Sequence, residues 1–119
     1  MRFISWSVLL LSLLISNLTF AESREAVAWK MIDEEALLID VRTDQEYVDG
    51  HLVDAILIPY QRIVDQFARL EIRKDRRVVL YCRSGRRAGI AETALRRAGY
   101  TNLFNGGGYP ALIGYKRQQ

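Results

Sequence analysis

Short apolar segments alternate with segments of helical pattern along most of this chain, and the alternation limits the fold more than any other feature. Apolar runs this short are typical of buried strands. Strands that alternate with helices indicate an α/β domain with a mainly parallel sheet. We therefore expect a central sheet of about five short strands flanked by helices. The sequence locates four of these strands at 36–41, 55–58, 77–81 and 102–104.

The intervening segments carry signals for helices. Thr43 and Glu46 have the spacing of a capping box, which begins a short helix that Gly50 ends. The segment 86–98 places small and apolar residues at helical spacing. The glycine run 106–108 predicts a flexible turn. The other predicted helices span 25–35, 60–70 and 109–115.

The first residues of the chain have the layout of a secretory signal. Arg2 supplies a positive start, residues 3–15 are mostly apolar, and small residues precede a cleavage site expected after Ala21. An uncleaved membrane anchor is the alternative, but the apolar core is short for a bilayer span, which needs roughly 20 residues. We therefore predict a signal peptide at 1–21, a mature domain at 22–119, and a periplasmic or otherwise exported location.

The chain contains a single cysteine, Cys82. One cysteine cannot form an internal disulfide, whereas exported proteins usually use cysteines in pairs. A lone thiol in an oxidising compartment is a liability unless the fold seals it away or uses it. Cysteines at the ends of apolar strands are commonly inert core residues, but the glycine and the arginines that follow Cys82 favour a reactive thiol.

Positive charge is concentrated around this cysteine, although the formal net charge of the whole chain is only +3 at pH 7. No aromatic residues alternate with the basic ones, as single-stranded nucleic acid would require, so the pattern favours a small anionic ligand over nucleic acid. One cysteine and one histidine make no recognisable metal site. The basic residues of this region are Arg73, Lys74, Arg76, Arg77, Arg83, Arg86 and Arg87.

The segment from Cys82 to Arg87 has the pattern of an anion-binding loop. Cys82 follows a predicted strand and a helix is expected to begin three or four residues later, so the thiol lies at the sheet edge where ligands of α/β proteins bind. Backbone N–H groups of such a loop, the helix dipole and the arginines all stabilise a thiolate. Gly85 allows a positive φ in the loop. Two chemistries use this arrangement: sulfur transfer through a cysteine persulfide, and phosphoryl or arsenate transfer through a cysteine adduct.

Several short motifs follow one another in a characteristic order. They are Asp40-Val41-Arg42, Glu46-Tyr47, Gly50-His51-Leu52, Ile58-Pro59, Val79-Leu80-Tyr81-Cys82, Gly85-Arg86 and Ala98-Gly99-Tyr100. In order and spacing these motifs resemble the single-domain rhodaneses, a family of thiosulfate sulfurtransferases. With the leader, the chain is most similar to the periplasmic phage-shock type of that family. The resemblance covers most of residues 26–112 and implies a rhodanese-like α/β domain that needs no metal or organic cofactor.

The resemblance also implies roles for individual residues. Cys82 is the nucleophile that accepts sulfur from thiosulfate or a similar donor and passes it to cyanide or a thiol. His51 holds a turn and does not act in catalysis. From the residues themselves, we expect Asp40 and Arg42 to form a supporting ion pair near the loop and not to act as acid and base. The anion cradle around the nucleophile consists of Arg83, Ser84, Gly85, Arg86 and Arg87.

Loop length distinguishes the rhodaneses from related enzymes. The related phosphatases and arsenate reductases carry one residue more, with arginine six positions after cysteine, and here that position is Ala88. The shorter loop, which ends at Arg87, favours a sulfur atom over a phosphate group. A cysteine-dependent phosphatase or arsenate reductase is one alternative, and a non-catalytic persulfide carrier or binding module is the other. Asp54, Leu57 and Leu112 depart from the family pattern, which leaves the acceptor open.

Overall fold

The computed structural model of the chain describes residues 22–119. The predicted signal peptide at 1–21, with its cleavage site after Ala21, lies outside the described residues. Among residues 22–119, no helix combines the length and the hydropathy that crossing a bilayer requires.

Five α-helices and four strands make up the regular structure of residues 22–119. In chain order they are α1 (Arg24–Asp33), β1 (Leu37–Asp40), α2 (Asp44–Asp49), β2 (Ile56–Leu57), α3 (Ile63–Arg69), β3 (Val78–Cys82), α4 (Arg86–Arg97), β4 (Leu103–Gly108) and α5 (Tyr109–Arg117). Helices therefore occupy the connections between successive strands, as parallel pairing requires.

The strands form one sheet in the order β2-β1-β3-β4, and every neighbouring pair is parallel. This confirms the predicted α/β fold with a parallel central sheet. The described residues form four strands, whereas about five were expected. Each of the four apolar segments forms one strand, and the segments between them are helical, so no described segment is left for a fifth strand. β1 and β3 lie in the centre of the sheet, which explains why their residues are almost all buried.

Alternate residues of β3 face opposite layers of helices. On one face, Leu80 and Cys82 belong to the buried cluster that includes Leu95 of α4. On the other face, Tyr81 belongs to the cluster that includes Leu112 of α5. The thiol therefore points into the layer that contains α4, the helix that follows it in the chain.

The prediction of a flexible turn at 106–108 is wrong, because these glycines form the second half of β4. They are buried, and neighbouring groups approach them closely. A Cβ atom on Gly106 would lie 3.1 Å from Val79 Cγ1, and one on Gly108 would collide with the carbonyl oxygen of Arg83. The glycines therefore serve close packing of the strand and not chain reversal.

The helix starts agree with their sequence signals to different degrees. The capping box is present: Thr43 N–H donates to Glu46 Oε1 and Glu46 N–H donates to Thr43 Oγ1, each at 3.2 Å. The helix predicted at 60–70 is divided, because a 3-10 turn over Tyr60–Arg62 precedes α3. Pro59 stands at its start and has no side-chain group that could cap a longer helix.

Candidate active site

Cys82 is the last residue of β3 and lies at the carboxyl edge of the sheet. Its relative exposure is 1 %. The next two residues, Arg83 and Ser84, are exposed, and Gly85 turns the chain into α4. The thiol therefore lies beneath a short surface loop at the edge where the sequence predicts it.

Backbone N–H groups of the loop and of the first turn of α4 interact with the sulfur of Cys82. Gly85 N–H donates to Cys82 Sγ at 3.0 Å, and the φ of Gly85 is 100°, a left-handed conformation that glycine adopts without strain. Burial is the largest influence on the thiol and raises its pKa, but several N–H groups together outweigh burial and lower the pKa of Cys82 below its ordinary value. These N–H groups belong to Ala88, Ser84, Gly85 and Arg87. The loop thus favours a thiolate.

The three arginine side chains of the loop lie in different places. Arg87 contacts both carboxylate oxygens of Glu46, at 2.7 Å and 2.9 Å. Arg86 borders a groove along α4 that also includes Ile90. Arg83 lines a cleft of about 230 Å³ beside the loop. The other residues that line this cleft are Arg42, Glu46, Asp49, Gly50, Tyr109 and Pro110.

Asp40 and Arg42 form the ion pair that the sequence predicts. Arg42 Nη2 lies 2.7 Å from Asp40 Oδ2 and 2.6 Å from the carbonyl oxygen of Gly50. The Arg42 guanidinium also lies 4.7 Å from the centre of the Tyr109 ring. Both charged side chains are buried. The pair therefore ties the end of β1 to the turn after α2 and to α5. Arg42, but not Asp40, also lines the cleft that Arg83 lines.

His51 stacks on Tyr47, with ring centroids 3.6 Å apart. Its Nδ1 lies 2.8 Å from the carbonyl oxygen of Tyr47. Tyr47 in turn donates its hydroxyl proton to the carbonyl oxygen of Ala55 at 2.8 Å. These contacts agree with a role for His51 in holding the turn between α2 and β2.

Most of the described chain matches one known family. Residues 25–113 match the family described as a rhodanese-like domain. The chain belongs to the rhodanese family. This confirms the resemblance that the motif order indicates and the α/β fold that goes with it.

Several known proteins are similar to this rhodanese. A sulfurtransferase of Allochromatium vinosum is 39% identical over 82 residues, which are 68% of this chain and 75% of the relative. The thiosulfate sulfurtransferase PspE of Escherichia coli K12 is 37% identical over 70 residues, 59% of this chain and 67% of the relative. A tRNA uridine(34) hydroxylase of Erwinia tasmaniensis is 36% identical over 90 residues, but the chain spans only 25% of that protein. The family and the sulfurtransferase relatives support sulfur transfer as the class of chemistry.

Solved rhodanese structures share the fold. A rhodanese from Escherichia coli, described with anions, superimposes with a TM-score of 0.57 at 37% identity and covers 60% of this chain and 84% of its own. The rhodanese-like domain of the Anabaena protein Alr3790 superimposes with a TM-score of 0.61 at 27% identity and covers 67% of this chain and 92% of its own.

Two contacts of this rhodanese site were not predicted from the sequence. The first is the pair between Arg87 and Glu46, because the capping box already accounted for Glu46. The second involves Asn105 of β4, whose Nδ2 donates to the carbonyl oxygen of Gly85 at 2.8 Å. The only local signal at Asn105 is that it precedes a glycine run, which was interpreted as a turn.

Proposed function

We propose that this rhodanese is an exported sulfurtransferase that takes sulfur from thiosulfate or a similar donor, carries it as a Cys82 persulfide, and passes it to a thiol or cyanide. The observation that carries the proposal is the hydrogen bond from Gly85 N–H to the sulfur of the single cysteine, at 3.0 Å, among backbone N–H groups that lower the pKa of this thiol. Those N–H groups stabilise a thiolate, and the thiolate is the nucleophilic form of cysteine.

The reaction proceeds by two displacements. The Cys82 thiolate attacks the outer sulfur of thiosulfate, the sulfur–sulfur bond of the donor breaks, and sulfite leaves with the bonding electron pair. The product is a Cys82 persulfide anion, whose charge the loop N–H groups stabilise. Cyanide or a thiolate then attacks the terminal sulfur, which leaves as thiocyanate or as a new persulfide and regenerates the Cys82 thiolate. No proton, metal or redox partner is needed to balance either step.

Among the loop arginines, Arg83 is best placed to orient the anionic donor. Arg87 is engaged by both oxygens of Glu46, and Arg86 borders the groove on α4. Arg83 is exposed next to Cys82 and lines the cleft beside the loop. Arg83 follows Cys82 directly in the chain, so we propose that its guanidinium contacts the incoming dianion, since fork-like guanidinium contacts suit oxyanions.

The exported location rests on the leader. Residues 1–21 have the charge, the apolar core and the small residues of a secretory signal. Expression of the full chain with fractionation of the cells tests this point, since a shortened product beginning at Glu22 in the exported fraction is expected. A full-length product in the cytosolic fraction would reject it.

The main experiment follows the mass of the intact protein. Residues 22–119 are incubated with thiosulfate, and we expect the mass of one added sulfur, which cyanide removes with release of thiocyanate. Cys82→Ser must stay unchanged under both treatments, because the chain has no other thiol. An unchanged mass with a demonstrably free thiol would reject thiosulfate as donor and favour oxyanion chemistry at the same loop.

A second experiment separates the arginines. Arg83→Gln should raise the KM for thiosulfate roughly tenfold, the loss expected for a contact with a charged ligand. Arg86→Gln should have a smaller effect. Arg73→Gln is the matched control. Arg73 forms an exposed ion pair with Asp75 and precedes the first residue of β3, whereas Cys82 is the last residue of that strand. Equal effects of all three variants would indicate only general attraction of anions.

A further inference from the structure

Asn105, in β4, joins the loop around Cys82 to the sheet through both ends of its amide. Its Nδ2 donates to the carbonyl oxygen of Gly85 at 2.8 Å, and its Oδ1 accepts from the N–H of Gly107 at 2.9 Å. A carbonyl oxygen only accepts and a backbone N–H only donates, so these partners allow a single orientation of the amide. Asn105 is therefore held as a rigid bridge at a half-buried position.

Gly85 is the residue on which this bridge acts. Its N–H contacts the sulfur of Cys82 at 3.0 Å, and its carbonyl oxygen accepts the first bond of α4, from Gly89 N–H at 2.9 Å. Glycine has the widest choice of backbone conformations, so a glycine in a loop needs external contacts to keep one of them. The bond from Gly89 holds Gly85 from the side of the helix, and Asn105 holds it from the side of the sheet.

Arg24, the first residue of α1, packs closely against both Gly85 and Gly107. A Cβ atom on Gly107 would lie 2.6 Å from Arg24 Cζ, and one on Gly85 would lie 3.0 Å from Arg24 Nη1. The guanidinium thus lies against the two backbone segments that Asn105 joins. Helix α1, strand β4 and the loop therefore meet at this point.

We propose that Asn105 is a positioning residue for Cys82, which holds Gly85 in the conformation that directs its N–H at the sulfur. Asn105 acts through Gly85, so its contribution is to the thiolate and not to contact with the donor. The inference uses the site of the proposed function, but it concerns the protein before any sulfur has been transferred.

The test is an ultraviolet titration of the thiolate. The chain has one cysteine, so the difference between each protein and the same protein carrying Cys82→Ser follows this thiol alone and removes the tyrosine signal. Asn105→Ala should raise the pKa of Cys82 by about half a unit to one unit, the effect of one lost hydrogen bond in the loop. Asn105→Asp should raise it further, because a carboxylate cannot donate to the carbonyl of Gly85 and adds negative charge.

Asn102→Ala is the matched control. Asn102 precedes β4, is exposed, and has only a long contact of 3.5 Å to the carbonyl oxygen of Asp75, so its loss should leave the thiol titration unchanged. Arg87, the charged side chain that interacts with Cys82, and its partner Glu46 remain in every variant. Thermal unfolding of each variant shows that only folded protein is titrated.

A folded Asn105→Ala with the native titration curve would overturn the proposal. If Asn105→Ala does not fold, Asn105→Ser is titrated in its place, and a native curve for that variant has the same meaning. Faster hydrogen exchange of the Gly85 amide in Asn105→Ala than in Asn102→Ala is the second expected result. Failure of the wild-type protein to accept sulfur would reject the proposed function while leaving this test of the thiolate intact.

Discussion

Arg87 forms a bidentate ion pair with Glu46: its Nη1 donates to Oε1 at 2.7 Å and its Nη2 donates to Oε2 at 2.9 Å. The pair joins the first turn of α4 to the first turn of α2, 41 positions apart in the chain. The same Glu46 carboxylate accepts the N–H of Thr43 in the capping box. One side chain therefore caps α2 and contacts α4, the helix that follows Cys82.

Replacement of Glu46 by glutamine should weaken the fold at neutral pH. Glu46→Gln keeps an acceptor for the capping box but removes the charge that Arg87 contacts. We expect a loss of about 2 kcal/mol in the free energy of unfolding, because the pair is half-buried and bidentate. Urea unfolding measures the loss. Glu92→Gln, which removes an exposed pair within α4, should cost no more than about 0.5 kcal/mol. Equal losses would contradict the assignment.

The same pair predicts how stability depends on acid. Its hydrogen bonds with Arg87 are the main reason why the pKa of Glu46 lies at about 2, below its ordinary value of 4.5. A carboxylate with a lowered folded pKa contributes stability that is complete above the unfolded pKa and is lost as the pH falls through the folded pKa. We therefore expect Glu46 to contribute fully at pH values above about 5 and to lose its contribution toward pH 2. The difference in the free energy of unfolding between the native protein and Glu46→Gln should therefore shrink as the pH falls from about 5 toward 2. A constant difference would contradict the prediction.

Alanine at Gly108 should displace the loop that follows Cys82. Its Cβ would collide with the backbone of Arg83, which a change of rotamer cannot relieve. We expect a loss of about 1–3 kcal/mol in stability, as for other overpacked positions, together with slower alkylation or sulfur loading of Cys82. Gly114→Ala is the control, because a Cβ there meets nothing within 4 Å in α5. That variant should gain up to about 1 kcal/mol from helix propensity. Native behaviour of Gly108→Ala would show that the loop yields easily.

Removal of Asp40 should be among the most damaging changes outside the loop. Asp40→Ala leaves the buried Arg42 guanidinium with the carbonyl of Gly50 but without a counter-charge. Breaking a buried pair in this way costs about 3–5 kcal/mol. Asp75→Ala breaks an exposed pair and should change stability by less than about 1 kcal/mol. Chemical unfolding of the two variants provides the comparison, and similar losses would show that burial of the Asp40 pair has little effect.

Asp54 adopts a left-handed backbone conformation, with φ of 67°. This is the position where the resemblance leads one to expect glycine. Asp54→Gly should be more stable than Asp54→Ala by about 1 kcal/mol, because a Cβ is unfavourable in this region of φ. The order should reverse at Asp49, the last residue of α2, where alanine is the better helix former. The same order at both positions would contradict a conformational cause.

The parts of the site that depend on neighbouring residues could be predicted from the sequence. An apolar segment that ends in cysteine, followed by glycine and a helix, places the thiol at the carboxyl edge of the sheet. The capping box at Thr43 was predicted for the same reason, since all of its partners lie within one helical turn. The ion pair of Asp40 and Arg42 joins oppositely charged residues two positions apart, which the sequence alone predicts.

Two contacts around the loop after Cys82 join residues that lie far apart in the chain. Glu46 reaches Arg87 across 41 positions, and Asn105 reaches Gly85 across 20 positions. Neither pair leaves a spacing pattern in the sequence, because the partners become neighbours only when the strands pair. The prediction of a turn at 106–108 fails for the same reason, since local propensity indicates a turn while close packing requires a strand without side chains.

The sequence by itself determined the α/β architecture, the position of the single thiol and the loop that surrounds it, because periodicity, capping and loop length act over a few residues. Tertiary structure alone decided which loop arginine contacts Glu46 and which residue of β4 donates a hydrogen bond to the carbonyl oxygen of Gly85. These choices depend on the order β2-β1-β3-β4, which brings distant segments to one edge of the sheet.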